Sequence, residues 1–221
     1  MLHVLRVFCA EDGRGGNHLG VFLDGEVVPE EERQAVANQL GFAETVFVED
    51  ATCGALRIFT PTVELPLAGH PLVGTAWLLR EQGTEAPSLR PPAGEVGVRF
   101  EGEMTFVSAN PDWAPPFDFV QVDSPDEVDA LAAQPEGYGN VGVWSWLDED
   151  AGRIRERVFA AAEGVPEDEA TGAAAMRLVA QLGRPIEIRQ GRGSVIYARP
   201  IDDNRVEVGG RVALEEVRPY P

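Results

Sequence analysis

Cysteine and histidine are scarce in this chain, and their placement removes whole classes of chemistry. The two cysteines, Cys9 and Cys53, have neither metal-ligand nor redox spacing, so both are expected reduced, on strands, in a cytoplasmic protein. Three histidines, His3, His18 and His70, form no HExxH or carboxylate-flanked cluster, and no metal is expected. No apolar run reaches the roughly 18 residues of a membrane span, and the opening eight residues are too few and too charged for a signal peptide. The turn Gly13-Arg14-Gly15-Gly16 lacks the Lys and Ser/Thr of a phosphate-binding loop, so no nucleotide cofactor is expected there. Positive charge is short too. A net charge of −19 argues against nucleic acid and anionic membranes as partners, because an acidic surface repels phosphate.

What remains is a chain built to pack and to repeat. Hydrophobic residues make up 44 %, enough for a core, and the acidic runs such as Glu30-Glu31-Glu32 and Asp148-Glu149-Asp150 read as solvated faces. At an offset of one hundred residues Arg57-Ile58-Phe59 returns as Arg157-Val158-Phe159, Leu65-Pro66 as Val165-Pro166, and Leu78-Leu79 as Leu178-Val179. Gly83 returns as Gly183. Each copy reads as a strand, a Pro-containing loop and a helix of about three turns. Two such halves, each aiming a helix N-terminus, favour a shared site at their seam, where backbone N–H groups and positive dipole ends attract an anion.

Strands are expected at Leu2–Cys9, 20–23, 45–48, 55–60, 95–100 and 104–108 of the first half, with helices at 30–40 and 71–79. The proline-rich stretch 110–116 is the natural linker. Beyond it strands are expected at 119–122, 141–146, 153–159, 185–190, 194–199 and 205–208, with helices at 125–133 and 171–182. This gives halves at 1–112 and 116–205, with 206–221 able to return to the first. Apolar helices such as Trp77-Leu78-Leu79 need burial on most sides, which a sheet curled around a helix supplies.

Three residues draw attention for chemistry. His70, between Gly69 and Pro71 at a helix start, is disfavoured as a cation by the dipole and is expected neutral, able to donate one hydrogen bond and accept another. Glu44 follows Gly41-Phe42-Ala43 into a strand, and taken alone it is an ordinary exposed glutamate. Asp168 taken alone is an acidic first-turn residue.

Together they resemble a known family. The run Phe59-Thr60-Pro61-Thr62-Val63-Glu64-Leu65-Pro66-Leu67-Ala68-Gly69-His70-Pro71-Leu72-Val73-Gly74-Thr75-Ala76 is similar to the signature of the phenazine biosynthesis PhzF-like family. Pro166-Glu167-Asp168-Glu169-Ala170-Thr171-Gly172-Ala173-Ala174 resembles its second signature. So do Gly16-Asn17, Ala43-Glu44-Thr45-Val46-Phe47, Gln190-Gly191 with Gly193-Ser194, and Val208-Gly209-Gly210. The resemblance implies an α+β, diaminopimelate-epimerase-like fold: two pseudo-symmetric β-barrel-like halves, each wrapped around a central helix. It further implies a cofactor-free isomerase that moves a proton on a small carboxylate-bearing metabolite, and a homodimer.

By motif position Glu44 is the implied acid/base, with His70 and Asp168 assisting. The implied substrate-binding residues are Asn17, Gly69, Pro71, Leu72, Thr171, Gly172, Ala173, Ala174 and Ser194. Epimerases of this fold place a cysteine at each helix N-terminal loop, here around Ala68 and Glu169, where this chain has none; a thiol racemase is disfavoured. Departures from the pattern are Glu169 for the usual Pro, Ala173 for the usual Ser, and a short second half. They keep open a second reading, a non-catalytic small-molecule binding or regulatory protein on the same fold.

Overall fold

A computed structural model describes residues 1–84 and 86–220. The first half contributes β1 (Leu2–Cys9), β2 (Gly15–Phe22), β3 (Glu44–Asp50), β4 (Ala55–Phe59), β5 (Glu64–Leu65), β6 (Ser88–Leu89), β7 (Val96–Glu101) and β8 (Met104–Ala109). The second contributes β9 (Asp118–Gln121), β10 (Asn140–Asp148), β11 (Arg153–Ala160), β12 (Val165–Asp168), β13 (Ile186–Gln190) and β14 (Ser194–Asp202), and β15 (Arg205–Arg218) closes the chain. Helices α1 (Arg33–Leu40) and α2 (Gly69–Glu81) belong to the first half, α3 (Pro125–Asp129) and α4 (Gly172–Leu182) to the second. The strands join in one sheet whose main path runs β5-β4-β3-β2-β1-β15-β14-β13-β11-β10-β9.

The hundred-residue repeat is a repeat of structure. β4 pairs antiparallel with β5, and β11 with β12; each short strand leads into a buried helix, α2 or α4. The correspondence reaches the side chains. Arg57 grips Glu64 with two nitrogens and lies over the Phe59 ring, while Arg157 grips Glu167 likewise and lies over Phe159. α2 is buried along Gly69 to Ala76 and at Leu78 and Leu79, as a helix apolar all round must be. Leu72 and Val73 of α2 and Met176 and Leu178 of α4 join one core with Leu5, Val7, Ile58, Ile154 and Ile188 from both halves of the sheet. Each such side chain contributes about 1.5–3 kcal/mol on burial.

β15 ties the halves together. Its first part pairs with β8 and β14, and its last part, from Arg211 to Arg218, pairs with β1. The C-terminal stretch thus has β8 on one side and β14, then β1, on the other; Pro221 lies outside the described residues. The linker is not slack either, because Asn110 caps a short 3-10 turn at Pro111–Trp113 and Arg177 of α4 donates to the Ala114 carbonyl at 2.7 Å.

Two expectations are corrected. Cys53 lies in a turn after β3, where the Asp50 carboxylate accepts the Thr52 and Cys53 N–H groups. The helix expected over 125–133 ends at Asp129, since Arg157 takes the Val128 and Leu131 carbonyls that a further turn would need. Among the described residues no helix is long and apolar enough to cross a membrane.

Candidate active site

The two central helices begin against each other. A Cβ added to Gly69 would lie 2.9 Å from the Gly172 backbone, and one added to Gly172 would lie 2.9 Å from Gly69 Cα and 3.0 Å from the His70 nitrogen. Only glycine permits that approach. Neither helix is capped by a side chain, so their first-turn N–H groups, from Gly69, His70, Gly172, Ala173 and Ala174, form a positive focus between the halves. Leu72 and Ala174 are fully buried and offer only backbone, as Pro71 offers ring rather than N–H. Ala173 is partly exposed.

Glu44 is the first residue of β3, which runs parallel to β2 with Leu19 opposite Glu44. Its side chain is 14 % exposed and its Oε2 lies 3.2 Å from Nε2 of His70, itself 3 % exposed. The two atoms are close but misaligned for a hydrogen bond, and among the described residues neither has another partner. Burial, then the nearby charge of Asp168, pushes the Glu44 carboxyl well above the usual range. Burial also drives His70 down to about 3, against a hydrogen bond to the His18 backbone. Burial, rather than the helix-start dipole, is what disfavours the imidazolium form of His70.

Asp168 closes the constellation from the second half. Its Oδ1 accepts from Asn17 Nδ2 at 2.5 Å and its Oδ2 from the Thr171 hydroxyl at 2.7 Å. Burial nonetheless raises it to about 6, the two hydrogen bonds opposing. Thr171 thus spends its hydroxyl on Asp168, while Gln190 accepts the Thr171 N–H at 3.0 Å and donates to its hydroxyl and to the Asp168 carbonyl, both at 2.9 Å. Gln190 was not among the expected site residues; only the parallel pairing of β11 with β13 and the turn into α4 bring it there. Ser194, expected on the substrate, opens β14 at the seam. Fully buried, its hydroxyl accepts from the Gly16 N–H at 2.9 Å and donates to Glu169 at 3.0 Å, which latches the halves together.

Asn17 and Asp168 form part of the wall of a cleft of about 850 Å³ between the halves, with His18, Arg155, Arg157 and Arg192. Glu44 and His70 lie behind that wall. A smaller depression of about 320 Å³, beside Phe106 and Tyr197, lies elsewhere; its Arg99 and Arg199 both bind Glu207, and Arg99 also binds Glu101.

Two barrel-like halves meeting over paired helix N-termini, with acids rather than thiols at the junction, define an isomerase of the diaminopimelate-epimerase-like fold. The chain belongs to the PhzC-PhzF family, described as phenazine biosynthesis-like protein, whose model matches residues 5–138. It is 31 % identical to the trans-2,3-dihydro-3-hydroxyanthranilate isomerase of Pseudomonas aeruginosa over 98 % of either chain. The enzyme of the same name from Pseudomonas fluorescens is also 31 % identical, over 88 % of this chain and 90 % of that one. A solved PhzF-family protein from Enterococcus faecalis superposes with a TM-score of 0.75 at 22 % identity, covering 97 % of each chain. The alignment with the Pseudomonas aeruginosa enzyme is 273 positions long on a 221-residue chain, so at least 52 of its positions have no counterpart here.

Proposed function

We propose that the protein isomerises a small carboxylate-bearing metabolite by moving a proton between carbons, with Glu44 as the acid/base and no cofactor. The observation that carries this reading is a nearly buried Glu44 carboxyl 3.2 Å from a neutral imidazole, where two uncapped helix N-termini converge. With the other ring nitrogen bonded to the His18 backbone, Nε2 faces the Glu44 carboxyl as a lone pair, and burial favours the protonated form of that carboxyl. An acid whose pKa is lifted toward working pH populates both forms and can give a proton at one carbon and take one at another.

The substrate carboxylate fits the N–H groups at Gly69–His70 and Gly172–Ala174, which also stabilise the enolate-like charge that develops as the carbon proton leaves. One proton is removed and one returned, so the reaction is redox-neutral. Asp168, held by Asn17 and Thr171, keeps Glu44 from ionising too readily.

The compound named in the relatives, trans-2,3-dihydro-3-hydroxyanthranilate, is the first probe, followed by a panel of cyclic unsaturated carboxylates. In D2O the expected result is an isomer carrying one solvent-derived deuterium, read by mass spectrometry. Binding across the panel without isomerisation or exchange would favour the non-catalytic reading, for which the 52 missing positions and Ala173 speak.

A further inference from the structure

The chain has eighteen cationic side chains, and all are arginine. Seventeen hold a carboxylate, a backbone carbonyl or an aromatic ring. The exception is Arg192. Among the described residues its guanidinium has no hydrogen bond, ion pair or ring contact, only a longer-range pull on Glu167, whose carboxylate Arg157 already grips. Arg192 is exposed, and it lines the cleft beside Asp168 and Asn17.

Its neighbours in the cleft are accounted for. Arg155 is bound to Asp129 at 2.7 Å, Arg157 to Glu167 at 2.7 Å, and Arg6 to the Gly13 and Gly15 carbonyls. Nor is Arg192 on a loose loop. Glu169 accepts the Arg192 N–H at 2.7 Å with the same oxygen that takes the Ser194 hydroxyl. Gly191, at φ +55°, makes room for this: a Cβ there would lie 2.4 Å from the Glu169 carboxyl. The loop is fastened, and only the side chain at its tip is left unpaired.

We propose that Arg192 is a specificity-determining residue that binds a second carboxylate of the substrate, so that the site takes dicarboxylates in preference to monocarboxylates. The proposal rests on the reading of the seam as the substrate site. A guanidinium presents a planar fork suited to a carboxylate. On so acidic a protein a dianion is otherwise repelled, so a local unpaired cation decides whether it binds.

The test is equilibrium binding by calorimetry of benzoate and its ortho, meta and para dicarboxylate counterparts to the whole protein. At least one dicarboxylate should bind about three- to tenfold more tightly than benzoate, a charge-assisted contact discounted for exposure. Arg192→Gln should abolish that gain, Arg192→Lys should keep part of it, and 0.5 M salt should shrink it. A thermal melt checks that each variant is folded. A wild type that binds none of the four, or shows no dicarboxylate gain, overturns the proposal, as does a gain that survives Arg192→Gln. Because no turnover is read, an unchanged gain refutes the role of Arg192 and leaves Glu44 as the base untouched.

Discussion

Replacing Glu156 by glutamine should stabilise the protein, and by an amount that grows with pH. Glu156 sits on β11 facing the interior, with none of its surface exposed and, among the described residues, no hydrogen-bond partner for either oxygen. Its carboxyl is tucked where Gly142 leaves space, a Cβ there falling 2.5 Å from Oε1, with the Phe119 ring also at that position and Trp144 opposite on β10. The equivalent position one hundred residues earlier is Leu56, an ordinary core residue. Burial lifts Glu156 from 4.5 to about 8, with Arg155 opposing weakly.

A carboxyl raised in the folded state costs nothing below the unfolded pKa. Its penalty then grows through the window from 4.5 to about 8 as the unfolded chain ionises and the folded one does not. At about 1.4 kcal/mol per pH unit, the penalty at pH 7 is about 3 kcal/mol. For a chain of this size that corresponds to roughly 6–12 °C in Tm. Circular dichroism melts of wild type and Glu156→Gln should coincide near pH 4.5 and separate steadily toward pH 8. A Tm difference that stays flat across that window refutes the reasoning.

Asn17→Ala removes a hydrogen bond that holds Asp168 down, so the Asp168 midpoint should move upward from about 6 and carry a limb of the pH–rate profile with it; an unmoved limb contradicts the assignment. Gly172→Ala forces a methyl to within 2.9 Å of Gly69 Cα. Overpacking there should cost about 1–3 kcal/mol by denaturant melt and lower kcat/KM at least tenfold by parting the helix starts. The Cys9→Ala/Cys53→Ala double variant should retain proton exchange, because neither thiol lies at the helix junction; loss of exchange in a folded double variant would reopen thiol chemistry.

Much of this was readable from the chain because local rules and the tertiary fold agree. Pro29, the Glu30–Glu32 run and Gly41 bracket α1, whose C-cap glycine is left-handed at φ +67°. The repeat located both buried helices and their meeting point. β15 runs well past the 205–208 expected, because at Gly209 and Gly210 the Phe106 and Phe8 rings occupy the space of side chains and the strand continues through. Gln190 and the Ser194 latch were hidden for another reason. Their roles depend on which strands become neighbours, and no local pattern encodes that. Glu156 follows strand alternation faithfully with Ile154 and Val158, yet a carboxylate is the last residue one places inward.

The central claim is that Glu44 carries the proton. Glu44→Gln preserves size and the buried position but can neither take nor give a proton. General acid/base catalysis contributes about 10²–10⁴-fold, so solvent deuterium incorporation into a turned-over carboxylate should fall by at least two decades while binding persists. Exchange at the wild-type rate in folded Glu44→Gln would show that another group moves the proton.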